Sequence, residues 1–205
     1  MITSFLVAIA VSFSAVVSAQ ETARVDANEY DAIGAAIAQT LQPNSSGWIL
    51  IDGQTAIFPC SSKPTNIINL GNCSGMKSQD KSAEEVLAGI KHSTAGLDDE
   101  TMADLRAKSD QSVILDRPFS LSVKQIFWRP GTPFAKPADG SQPEFAVVVS
   151  RVGFDKKVGK ALVYIGAVRW NEPDRSFGDY IFLTKEESGW SVKNTVRVWQ
   201  LQKKK

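Results

Sequence analysis

One histidine in 205 residues, His92, excludes a multi-histidine metal site and leaves a histidine triad a single candidate. Two cysteines are too few for a zinc ribbon or a disulfide-dense framework. Neither sign of charge dominates: 23 Lys and Arg face 22 Asp and Glu, so composition gives no case for nucleic acid as a partner. The chain has no G-x-x-x-x-G-K-[ST] to cradle phosphates, no G-x-G-x-x-G for a dinucleotide and no G-x-S-x-G nucleophile elbow. No cofactor and no metal are expected. Hydrophobic residues at 43% and charged residues at 22% are ordinary globular values, which excludes wholesale disorder.

What is present begins with an export signal. Residues 1–19 carry no charge, run apolar from Phe5 to Val17, and end in Val17-Ser18-Ala19, a small-residue pattern that signal peptidase cuts. No Lys or Arg precedes the apolar run, which departs from the usual positive start. The run is short for a membrane span and broken by Ser12 and Ser14, so no permanent anchor is expected. The expected product is a periplasmic or secreted chain of residues 20–205. In an oxidising compartment Cys60 and Cys73, flanking a turn-rich loop, are expected to form a structural disulfide. Closing a loop of that size contributes roughly 3 kcal/mol on the chain-entropy account.

Asp26 with Glu29, and Ser82 with Glu85, are spaced as capping boxes, and Asp98 can cap a third helix. Tyr30, Ile33, Ile37 and Leu41 recur on one helical face before Pro43; Val86, Leu87 and Ile90 form the second stripe. His92, near the end of that second helix, suits its C-terminal dipole better than catalysis. Residues 48–51 and 55–58 are expected to form a hairpin about Asp52-Gly53. From residue 112 onward, strands are expected at 113–115, 121–128, 145–152, 161–170, 180–185 and 190–199. Glu186–Gly189 is the hairpin loop of the last two, and 161–170, apolar on both parities, is expected at the centre of the sheet. Residues 130–143, with four prolines, form a loop within one domain. The pattern predicts an α+β domain of short N-terminal helices packed on one face of a curved antiparallel sheet, of the cystatin-like or NTF2-like kind. Residues 20–111 carry 7 basic and 13 acidic side chains, residues 112–205 carry 16 and 9, so acidic helices are expected to face a basic sheet.

The blocks Ser150-Arg151-Val152-Gly153-Phe154-Asp155, Ala161-Leu162-Val163-Tyr164-Ile165-Gly166 and Gly178-Asp179-Tyr180-Ile181-Phe182-Leu183 are followed by Gly189-Trp190-Ser191-Val192 and Trp199. In that order they resemble a family of uncharacterised, mostly bacterial, exported proteins, whose short helix before the sheet is similar to Leu97–Leu105 here. The resemblance implies architecture and export and adds no reaction. The chain departs from the family at 167–177, where a Gly-rich turn is replaced by one bearing Arg169, Trp170, Glu172, Asp174 and Arg175, and after Trp199.

An aromatic and basic cluster near strand ends is the candidate recognition surface: Arg151, Arg169, Trp170, Arg175, Tyr180 and Arg197, with Tyr164 and Trp199 beside them. Rings and guanidinium groups suit an unknown protein, a glycan or an anionic polymer in the exported compartment. The expected function is a non-enzymatic binding module using the turn at 167–179, with no catalytic residue assigned. The alternatives are an inhibitor of another exported protein, or a hydrolase of envelope or extracellular polymers pairing a carboxylate from 98–100 with one from 172–179.

Overall fold

The structure, a computed structural model, describes residues 24–58, 83–129, 131–133 and 137–201. The leader at 1–19, Ser82, and both Cys60 and Cys73 with their expected disulfide lie outside the described residues.

Helix α1, Ala27–Leu41, starts at the expected capping box: Asp26 accepts from the Glu29 backbone N–H, and the Glu29 carboxylate accepts from the Asp26 backbone N–H. It ends on Gln42, which takes the left-handed conformation and returns its N–H to Ala38. Helix α2 spans Ala83–Ser93 with Lys91 and His92 in its last turn, and α3 spans Asp99–Lys108 capped by Asp98.

The strands are β1 (Trp48–Asp52), β2 (Lys124–Trp128), β3 (Phe145–Val149), β4 (Gly153–Phe154), β5 (Lys160–Arg169), β6 (Phe177–Glu186) and β7 (Gly189–Gln200). They form one open sheet in the order β2-β1-β3-β5-β6-β7, with β4 paired to β5. β5, β6 and β7 form the expected antiparallel meander. β5 is central and buried along eight of its ten residues, as its two-sided apolar pattern requires.

Three expectations are corrected. First, residues 48–58 do not form a hairpin: β1 runs parallel to both β2 and β3, and residues 54 and 56 make only isolated bridges to Ile114 and Ser150. Gly53 is there for close approach; a Cβ on it would stand 2.8 Å from the Trp128 carbonyl oxygen, which accepts the Gly53 N–H. Second, the sheet is therefore mixed, and 113–115 contributes a single bridge in place of a strand. Third, helices cover both faces. Odd positions of β5 (Ala161, Val163, Ile165, Ala167) pack with Ile33 and Ile37 of α1; even positions (Leu162, Tyr164, Val168) pack with Ile90 of α2 and Leu105 of α3. The α+β class stands, in three layers.

Candidate functional site

The strand register gathers several sequence candidates at one end of the sheet, where β3 begins, β5 ends, β6 begins and β7 ends. Arg169 is the cross-strand partner of Phe145, and its guanidinium sits 4.9 Å from the centre of that ring. Arg197 is the cross-strand partner of Asp179; it ion-pairs that fully buried carboxylate and lies 4.3 Å from the centre of the Phe177 ring.

Between β5 and β6 the chain makes a short, tightly tied turn. The Trp170 N–H donates to the Glu144 carbonyl at 3.3 Å, which fixes where the chain leaves β5. Pro173–Arg175 is a 3-10 turn, closed by Arg175 N–H to the Glu172 carbonyl at 2.9 Å and Ser176 N–H to the Pro173 carbonyl at 3.1 Å. Buried Ser176 ties the base: its hydroxyl accepts the Arg169 N–H at 3.2 Å and its carbonyl accepts the Leu201 N–H at 2.9 Å. One oxygen of Glu172 receives both Arg169 (3.0 Å) and Arg175 (3.3 Å). The Arg175 side chain is 67% exposed and that of Arg169 35%, while Trp170 is partly exposed. Arg169 and Arg175 both pair with Glu172, and the same stretch carries Asp174, so the turn has mixed charge and does not build the positive field that a polyanion needs.

Two of the six recognition candidates are corrected. Arg151 does not face outward: its guanidinium makes a bidentate pair with Glu29, Nε to Oε1 and Nη2 to Oε2, both at 2.8 Å, and Nη2 also donates to the Arg24 carbonyl at 3.1 Å. The Glu29 side chain is fully buried. Tyr180 is buried in the layer under α2 and α3, its ring 5.2 Å from that of Tyr164 and 6.0 Å from that of Phe58. Tyr164 and Trp199 are buried there too, with the indole N–H donating to the phenol oxygen at 2.8 Å. Burial pushes the Tyr164 phenol well above the usual tyrosine range; the indole bond opposes this rise and the Asp179 charge adds to it.

The paired carboxylates fall at opposite ends of β5. Asp98 ion-pairs Lys160 at its first residue, Glu172 ion-pairs Arg169 at its last, and strand geometry separates those ends by about 30 Å. Inverting glycosidases need carboxyl groups within about 9.5 Å. Asp179, the third acid of that group, is fully buried against Arg197. Among the described residues no group of three His, Cys, Asp or Glu is placed to hold a metal ion.

Glu144 and the ring platforms Phe145 and Phe177 belong to this end of the sheet but are absent from the sequence-derived set. Their roles depend on cross-strand register, and the sequence shows only the strand character expected for 145–152. Comparison with family models, curated proteins and solved structures finds no match.

Proposed function

We propose that the chain is an exported, non-enzymatic interaction module that presents the turn at 169–176 to a protein partner. The observation that carries this reading is a turn, tied at both ends by hydrogen bonds, that carries both partly exposed Trp170 and largely exposed Arg175. Tryptophan and arginine are enriched where proteins bind proteins, and a tied turn loses little conformational freedom on docking. The mixed charge of the turn supports a protein over an anionic polymer. Export rests on the leader-like residues 1–19 and on the family resemblance.

The test is site-specific photocrosslinking in the native host. A benzophenone amino acid replaces Trp170 in one variant and Glu187, on the β6–β7 hairpin, in another. The expected outcome is a discrete protein adduct from position 170 that position 187 does not give and that Arg175→Ala diminishes. Equal adducts from both positions, or none, would overturn the assignment.

A further inference from the structure

We propose that the outer edge of β2 is a second recognition site, which takes an extended peptide strand with acidic residues at its two ends. Among the described residues the sheet has two open edges, and they are built differently. Open edges invite pairing by another chain, and proteins that must avoid it protect them. The β7 edge is protected. The Gln39 side-chain amide of α1 occupies main-chain groups of β7 in place of a neighbouring strand, donating to the Trp190 carbonyl at 2.9 Å and accepting from the Val192 N–H at 3.0 Å. Two register shifts bend the β6–β7 ladder, and the β7 cations are occupied, Lys193 by Glu186 and Arg197 by Asp179.

β2 is short and flanked by cations that discourage like-charged chains, but among the described residues it has neither the side-chain cap nor the ladder bends of β7. The Trp128 carbonyl accepts the Gly53 N–H, so the main-chain groups of residue 128 face β1. Alternation along the strand then turns the N–H and C=O of Gln125 and Phe127 away from β1, to the unpaired side. Exposed Lys124 and Arg129 flank this stretch, and neither is ion-paired among the described residues. Asp139 acts on Lys124 only as a more distant charge. Partly exposed Ile126 and Trp128 share one side of the strand between the two cations. Backbone pairing would supply affinity, and the flanking cations would select acidic ends.

The probe is the blocked hexapeptide Glu-Thr-Val-Thr-Val-Glu, which sets its valines beside Ile126 and Trp128 and its carboxylates beside Lys124 and Arg129. Two controls accompany it: the same peptide N-methylated at alternate residues, and a version with lysine at both ends. Amide chemical shifts and hydrogen exchange are followed on the labelled full chain. The expected result is slowed exchange at Gln125 and Phe127 with the acidic peptide alone. Lys124→Glu with Arg129→Glu, both on the surface, is expected to weaken that peptide about tenfold and to favour the lysine-ended one. Binding of the N-methylated peptide as tight as that of its parent would overturn strand pairing. No protection at saturating acidic peptide, with the β7 edge equally silent, would overturn the site.

Discussion

Arg151 shows how far a side chain's role depends on what the fold brings to it. Glu29 accepts from Arg151, from the Val152 N–H at 3.0 Å and from the Asp26 N–H at 3.1 Å, so a single buried carboxylate joins the start of α1 to the chain leaving β3. Truncating the cation strands that charge. Arg151→Ala is expected to lower stability by about 3–5 kcal/mol in urea unfolding, and Arg151→Met combined with Glu29→Leu by much less, because no buried charge is then left unpaired. A second test concerns Gly178, where an added Cβ would stand 2.0 Å from the Trp199 indole nitrogen and 2.6 Å from the Tyr164 hydroxyl. Gly178→Ala therefore forces apart the buried Tyr164–Trp199 bond and is expected to cost about 3 kcal/mol, read as a lowered urea midpoint. The sequence disclosed the capping role of Glu29, since that depends on a spacing of three. It did not disclose the partner, 122 positions away, so Arg151 resembled a surface cation.

Among the elements, α3 is the one whose stability is most open to titration. Burial alone would raise the Asp98 carboxyl, but the Thr101 backbone N–H, the Lys160 ammonium and the Thr101 hydroxyl outweigh it and hold the group down to about 2. A carboxyl lowered on folding stabilises above its unfolded value near 4 and loses that contribution as pH falls towards 2. Asp98→Asn is thus expected to destabilise at neutral pH and to flatten the acid limb between pH 4 and 2, measured by thermal unfolding. The effect is modest, because the carboxylate is 36% exposed and screened by solvent. The Asp98 cap and the strands from 145 to 199 were legible because each is written in a local period or spacing. The misread hairpin at 48–58 was not, since Asp52-Gly53 is a good turn signal whatever the chain does next. Here the glycine serves contact with Trp128, which no local pattern reveals.

For the whole molecule, the α+β class could be read early, whereas layering could not. A stripe on a helix shows that it buries one face but not which side of a sheet receives it, and β5 is apolar on both. The expected attraction between an acidic first half and a basic second half is met by Glu29 with Arg151, Asp98 with Lys160 and Glu100 with Lys156, while other pairs, such as Arg106 with Glu84 and Arg197 with Asp179, stay within one half. The proposed recognition surface was legible only in part. Arg169, Trp170 and Arg175 are where a turn would place them, while Arg151 and Tyr180 were drawn into the interior by partners distant in sequence.

The parallel seating of β1 between two later strands has a temporal consequence. Its neighbours are residues 124–128 and 145–149, so a chain emerging from its N-terminus holds a sticky segment with no place to go until most of the polypeptide has followed. Until those partners arrive, the first strand depends on whatever keeps Trp48-Ile49-Leu50-Ile51 from the wrong company.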